Sequence, residues 1–179
     1  HTPTLLNAGQ QRWWGWDGAF DSLWSQALQP LLHPQEMGAD PARITRLLRS
    51  DAQLDCRWRR THGALPPEGR TDPQAVLVPL AKALGAYVAT LQSRRTAFDQ
   101  FRDALARGDR VAAARYPLAA QRGLRIFIGR GNCSTCHAGP LLSNGEFGDI
   151  GALFFSRPGV VDPGRHGGIT ALLANRHNL

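Results

Sequence analysis

Apolar side chains recur every three or four residues along most of the chain, which is the spacing of one face of an α-helix. In the segment 19–29 the apolar residues on this face are Phe20, Leu23, Trp24, Ala27 and Leu28. The same spacing predicts helices at about 41–50, 51–61, 73–92, 96–107 and 117–129, with a short one at 169–175. No stretch shows the strict alternation of a half-buried β-strand. The pattern therefore predicts an all-α fold.

Proline and glycine mark where these helices begin and end. Asp40-Pro41 and Asp72-Pro73 each place an N-cap aspartate before a proline at the first helical position. Gly108 closes the helix predicted at 96–107. Residues 62–71 and most of the chain after 137 are rich in glycine and proline and are predicted to be loops. We therefore expect helices joined by long Gly/Pro-rich loops.

Composition limits the class of protein. The chain has 179 residues, enough for one or two domains with a buried core. No apolar run approaches the roughly 18 residues that cross a bilayer, and the first residues lack the basic and apolar regions of an export signal. We therefore expect no membrane span, and an export signal, if one was used, to have been removed already.

The charge of the chain gives a weaker indication of its binding partners. The net charge is +7, and Lys82 is the only lysine among 21 basic residues. The arginines are spread along the chain and form no stripe with interleaved aromatics, so nucleic-acid binding is not predicted. A basic surface of this kind would suit an acidic protein partner.

The strongest chemical motif is Cys133-Ser134-Thr135-Cys136-His137, a CxxCH sequence. In c-type cytochromes the two thiols of this motif form thioethers with haem, and the histidine binds the iron. A zinc site would need a second pair of ligands, and a thioredoxin-like site would follow a strand rather than a predicted helix. The motif therefore predicts covalent haem c with His137 as proximal ligand. Because covalent haem attachment takes place outside the bacterial cytoplasm, it also predicts a periplasmic protein.

The sixth iron ligand is not evident. Met37, the only methionine, lies about a hundred residues before the motif, and Cys56 stands alone. Only His166 and His177 follow the motif as strong candidates, and histidine in a Gly-rich loop is more often a surface residue than a ligand.

Four blocks of sequence, in order along nearly the whole chain, resemble the bacterial di-haem cytochrome c peroxidase superfamily, which includes MauG. They are TPTLLN at 2–7 with WDG at 16–18; SLWSQAL at 22–28 with Pro30, Pro34, Glu36 and Met37; LGAY at 84–87 with TL at 90–91 and FD at 98–99; and GL at 123–124 before CSTCHAGP at 133–140, with Gly151 and DPGR at 162–165. This combination is far more specific than CxxCH alone.

The resemblance implies two cytochrome c-like haem domains. Residues 1–115 would be the remainder of the N-terminal, peroxidatic domain, including its distal side and the linking helices. Residues 116–179 would begin the C-terminal cytochrome c domain. His137 would then serve the electron-relay haem, and the CxxCH of the other haem would lie in a part of the protein before these residues. The alternative is a one-haem relative that has lost the rest of the family plan.

The resemblance also assigns residues to the peroxide pocket and to the path between the haems. Glu36 matches the distal glutamate, which moves a proton from one peroxide oxygen to the other. Gln26 and Pro30 match residues that shape the same pocket. Trp16 matches the tryptophan between the two haems, whose indole shortens an electron or hole transfer. Family members often bind calcium through an asparagine where this chain has His1, and imidazole is a poor ligand for that cation, so calcium is doubtful.

Three functions stay open on these residues. The first is a peroxidase that reduces hydrogen peroxide with electrons from a small redox protein. The second is a MauG-like enzyme that oxidises Trp or Tyr residues of a partner protein. The third, a simple c-type electron carrier, would have no use for a peroxide pocket at Glu36. The ligand that distinguishes the first two lies outside this sequence.

Overall fold

The computed structural model describes residues 2–67, 72–149, 151 and 155–178, and in this part of the chain helices dominate. Eight α-helices follow one another among the described residues. They are α1 (Leu23–Leu32), α2 (Pro41–Ser50), α3 (Ala52–His62), α4 (Gln74–Ala89), α5 (Ala97–Ala106), α6 (Arg110–Ala114), α7 (Leu118–Ile128) and α8 (Gly164–Ala174). The all-α class is confirmed. No helix of the described residues is both long enough and apolar enough to cross a membrane.

The predicted helix starts depend on local capping. Asp40 Oδ1 accepts a hydrogen bond from Ala42 N (3.1 Å), and Asp72 Oδ1 accepts one from Gln74 N (3.0 Å). Each bond satisfies a backbone N–H that has no partner within its own helix. At α5, Thr96 and Asp99 exchange side-chain and backbone hydrogen bonds in a capping box. Asp40 is the N-cap of α2, as predicted, whereas the N-cap of α4 is Pro73, one residue after the predicted Asp72.

Three short elements among the described residues were not predicted. Strands β1 (Phe155–Arg157) and β2 (Val160–Val161) pair antiparallel around Gly159, whose φ of 75° suits a tight turn. Helix α6 has five residues, and its N-cap Asp109 accepts a hydrogen bond from Ala112 N. Elements this short show neither alternation nor helical periodicity, so the hydrophobic pattern could not reveal them.

The described residues form two compact units. The first unit joins the chain up to Leu91 with the chain from Asp149 onward, and the second unit is Gln92–Gly148. These bounds follow contacts within this chain and differ from the division predicted at residue 115. The assignment of 1–115 and 116–179 to two haem domains stays a prediction.

The core of the first unit lies where α1 packs along α4. Its buried residues come from α1 to α4 and are Leu28, Ile44, Leu48, Trp58, Val76, Leu77 and Ala81. At the closest approach, a Cβ added at Gly85 would lie 3.2 Å from the backbone nitrogen of Trp24. Glycine at this position lets the two helix backbones come together and fixes where α1 sits on α4.

The segment after α8 is joined to α1 and α4 by part-buried polar side chains. Asn178 Oδ1 accepts a hydrogen bond from Ser25 Oγ (2.8 Å), and Asn178 Nδ2 donates to the carbonyl of Ala19 (2.9 Å). His177 Nε2 lies 2.6 Å from Gln74 Oε1. Within the first unit, these contacts join residues that are more than a hundred positions apart in sequence.

The second unit has a smaller core. Phe101, Ala104 and Ala113 are buried, and the ring of Tyr116 stacks on Phe101 with 4.6 Å between centroids. Helix α7 follows this core and has no buried residue of its own. It leads directly into the CxxCH motif.

Substitution of Leu77 by alanine should strongly destabilise the first unit. Leu77 is 1% exposed, and truncation of a fully buried leucine costs about 2–5 kcal/mol through lost burial and the cavity left behind. Urea unfolding followed by circular dichroism measures this loss. The control L173A changes a leucine that is 80% exposed and should shift the free energy of unfolding by about 0.5 kcal/mol or less.

Acid should weaken the fold through His177. Burial, and then the charge of Arg176, lower the pKa of His177 below its usual 6.5. Since the folded pKa lies below the unfolded one, the stabilisation is present above about pH 6.5 and is lost as the pH falls through the lowered value. H177Q should therefore reduce the fall in unfolding temperature between about pH 7.5 and pH 5, whereas H166Q, at an exposed site, should leave that fall unchanged.

Candidate functional site

Tight backbone turns carry the chain from α7 into the CxxCH motif. Gly131 N donates to the carbonyl of Ile126 (2.8 Å), and Asn132 adopts a left-handed conformation with φ 52°. A short 3-10 helix, Cys133–Thr135, follows, and His137 N donates to the carbonyl of Cys133 (2.9 Å). A Cβ at Gly131 would lie 2.7 Å from the Ile126 oxygen, so this close turn needs glycine.

The imidazole of His137 is oriented by a backbone carbonyl. Its Nδ1 lies 3.1 Å from the carbonyl oxygen of Leu142. Because a carbonyl only accepts, Nδ1 carries the proton in this hydrogen bond and the lone pair is on Nε2. Metal-binding histidines are commonly held in this way through the nitrogen that does not face the metal. The ring of Phe127 lies alongside, with 6.3 Å between centroids.

The thiols of the motif are available for bond formation. Cys133, Cys136 and Cys56 are all free, and Cys133 is half-buried with its Sγ 3.3 Å from the carbonyl oxygen of Gly131. Two free thiols beside an oriented imidazole match the donor set of haem c. Within the described residues, no three His, Cys, Asp or Glu side chains are grouped so that they could hold a metal ion.

The residues predicted for the peroxide pocket lie on one continuous piece of the first unit. Gln26 and Pro30 are one turn apart in α1, and Glu36 lies in the exposed turn after it. Met37 N donates to the carbonyl of Pro30 (3.1 Å), so this turn folds back on the end of the helix. Gln26 Oε1 is buried and has no hydrogen-bond partner among the described residues.

Trp16 lies at the tip of a small loop. Trp14 and Phe20 pair as an antiparallel bridge, and the amide of Gly18 donates to the carbonyl of Gly15 (3.2 Å), which closes a turn around Trp16. The indole of Trp16 is 72% exposed. Its neighbour Trp14 is half-buried and donates from Nε1 to the carbonyl of Ala8 (3.0 Å).

The structure therefore groups the predicted residues in two places. Trp16, Gln26, Pro30 and Glu36 belong to the first unit, and the CxxCH motif belongs to the second. Of the candidate sixth ligands, His177 is hydrogen-bonded to Gln74, and His166 is exposed on α8. His1, which bears on the calcium prediction, lies outside the described residues.

Two further residues matter that the sequence did not assign a role. Leu142 contributes only its backbone carbonyl to His137, and nothing in its side chain could have indicated this. Arg165 donates to the carbonyls of Asp17 and Gly18 beside Trp16. It belongs to the block at 162–165 that carried part of the family resemblance, which was the one available indication.

Known proteins give an independent comparison. The sequence model of the family described as di-haem cytochrome c peroxidase matches residues 1–107. The chain is 30% identical to the methylamine utilization protein MauG of Methylorubrum extorquens, over 84% of this chain and 38% of that protein.

Two relatives named as peroxidases are similar over the same share of the chain. Cytochrome-c peroxidase IdrP2 of Pseudomonas sp. is 28% identical over 84% of this chain and 37% of its own length. Cytochrome c551 peroxidase of Nitrosomonas europaea is 24% identical over 84% of this chain and 40% of its own length. The chain thus spans about two fifths of the length of these relatives.

Replacement of Cys133 or Cys136 by alanine should lower the covalently bound haem by the share that is attached at this motif, because each thioether needs its own thiol. Haem staining of the protein after denaturing electrophoresis measures what stays attached. Cys56 provides a matched control within the chain, since C56A should retain the haem of the unmodified protein. Full staining of both C133A and C136A would show that haem is attached elsewhere.

Proposed function

The chain belongs to the di-haem cytochrome c peroxidase family, and on this premise we propose that it is part of an enzyme that reduces hydrogen peroxide. The reaction consumes two electrons and two protons for each peroxide and forms two molecules of water. A small redox protein would supply the electrons. Residues 1–179 would contribute the distal side of the peroxide pocket and the attachment site of the electron-relay haem.

Haem c would be held by Cys133 and Cys136 through thioethers and by His137 Nε2 at the iron. When bound, haem c supplies an iron that can take up and release electrons. The hydrogen bond from His137 Nδ1 to the carbonyl of Leu142 fixes the ring for this task. The family name implies a second haem, and residues 1–179 contain a single CxxCH, so its attachment site would lie outside them.

The observation that carries the peroxide assignment is the arrangement at the end of α1. Gln26 and Pro30 lie on this helix, and Glu36 lies in the turn that folds back on it. Gln26 Oε1 has no hydrogen-bond partner among the described residues. A buried acceptor of this kind is costly unless a donor reaches it. Peroxide, which can donate hydrogen bonds, would satisfy it.

Glu36 would act as the proton carrier in this pocket. Its carboxylate would accept a proton from one peroxide oxygen and deliver it to the other, so that the second oxygen leaves as water. The exposed position of Glu36, in the turn between His33 and Gly38, would leave the carboxylate accessible to an incoming small molecule. Trp16 would relay electrons from one haem to the other.

A second candidate is MauG-like oxidation of Trp or Tyr residues on a partner protein. It is favoured by the relatives, since the chain is as similar to proteins named MauG as to proteins named peroxidase. The arginine-rich surface would suit an acidic protein in either case. The peroxidase is proposed first because it needs only hydrogen peroxide and an electron donor, whereas the MauG-like reaction also needs a protein substrate.

The protein would work in the periplasm, because covalent attachment of haem c takes place outside the bacterial cytoplasm. This placement is independent of the choice between the two activities, since both require the same haem.

The substitution E36Q should slow the reaction of the reduced protein with hydrogen peroxide by about 10²–10⁴-fold, the usual contribution of a positioned proton carrier. Glutamine keeps the size of the side chain but cannot take up the proton. Stopped-flow absorbance at increasing peroxide concentration gives the rate constant. E146Q, which neutralises a carboxylate of the second unit, is the control and should react normally. Equal rates for E36Q and the unmodified protein would refute the role of Glu36.

A further inference from the structure

Arg165, near the start of α8, binds the backbone of the loop that carries Trp16. Its Nη1 donates to the carbonyl oxygens of Asp17 (2.9 Å) and Gly18 (2.7 Å). These two residues directly follow Trp16, and they are 148 and 147 positions from Arg165 in sequence. A charged donor makes hydrogen bonds roughly twice as strong as neutral ones, so this contact ties Trp16 to a distant helix.

A second contact on the same face of α8 supports this tie. Gly168 is three residues after Arg165, so the two lie on one side of the helix. Gly168 is buried, and a methyl group added to it would overlap the carbonyl oxygen of Asp17. The backbone of α8 therefore lies directly against the Asp17 carbonyl to which Arg165 donates.

The loop has backbone freedom at two glycines. It turns at Gly15 and Gly18, which have φ of 82° and 71°, and glycine leaves the backbone free to adopt other conformations. Within the turn, Gly18 N donates to Gly15 O at 3.2 Å and Ala19 N donates to Asp17 Oδ1 at 3.2 Å. Two charge-assisted hydrogen bonds from Arg165 would restrict this freedom.

Arg165 is itself held in place by an aromatic ring. Its guanidinium carbon lies 4.9 Å from the centroid of Trp13, and that of Arg12 lies 5.8 Å from the same ring. Both are within the range of cation–π attraction. Arg165 therefore bridges the Trp13 ring and the backbone on the far side of Trp16.

We propose that Arg165 is a positioning residue for Trp16 and that, with Gly168, it fixes the loop that holds the indole between the two haems. The proposal rests on the proposed function in one respect, the relay role of Trp16. The proposed action of Arg165 on Trp16 passes through the backbone at 17–18.

The test uses the full-length protein with both haems and has two readouts. Hydrogen exchange followed by mass spectrometry reports on the loop at 13–20, and R165M should raise its exchange rate. R12M removes the other guanidinium near Trp13 but leaves both hydrogen bonds to the loop, so it should leave exchange unchanged. Unchanged exchange in R165M would overturn the proposal.

The second readout is the rate of electron transfer between the haems after rapid reduction. R165M should lower this rate by about tenfold or more, since displacement of a reacting group by an ångström has effects of this size. In a W16F background, R165M should cause no further loss, because it acts only through Trp16. An equal loss in both backgrounds would contradict the proposal.

The comparison of R165M with and without W16F also separates the positioning role of Arg165 from the relay role of Trp16. If W16F itself left the rate unchanged, the relay role of Trp16 would be wrong, whereas the exchange measurement would still decide whether Arg165 fixes the loop. G168A provides a second variant should R165M fail to fold. Because the added methyl group displaces the Asp17 carbonyl, G168A should raise exchange and lower the rate as R165M does, and normal values for both would overturn the proposal.

Discussion

The packing of α1 against α4 is the interaction on which the first unit depends. Gly85 lets the two backbones come close, and Leu28 and Leu77 fill the contact with apolar side chains. Since α1 also carries Gln26 and Pro30, the hydrophobic core fixes the helix on which the peroxide pocket would be built. The turn with Glu36 then folds back on the end of this helix through the carbonyl of Pro30. The helix that packs into the core would thus also carry the proposed peroxide pocket.

Much of this could be predicted from the sequence because the causes are local. Most helix positions followed from apolar spacing, and the start of α2 followed from Asp40-Pro41, whose carboxylate caps the helix. The helix predicted at 169–175 begins at Gly164 instead, because its first residues are mostly glycine and polar and show no apolar spacing. The CxxCH motif was evident because its chemistry needs consecutive residues. The hairpin around Gly159 and the five-residue α6 were not predicted, because elements of two to five residues are too short to show a periodicity.

Contacts between distant residues could not be predicted in this way. Arg165 meets the loop of Trp16 through backbone carbonyls, which have the same chemistry in every residue. Leu142 likewise orients His137 through its carbonyl alone. Asn178 joins Ser25 across 153 positions. In each case the sequence can indicate at most one of the two contacting residues, and the other is known only from the folded structure.

Two groups of residues with different tasks emerge, the proposed peroxide pocket with its Trp16 relay in the first unit and the haem attachment site in the second. The account requires two haems, one on Cys133 and Cys136 and one attached outside residues 1–179. Mass spectrometry of the intact mature protein, with mapping of haem-bearing peptides, tests this most directly. The account predicts two covalent haems, one of them on the peptide with Cys133 and Cys136. A single haem in the whole protein would contradict it.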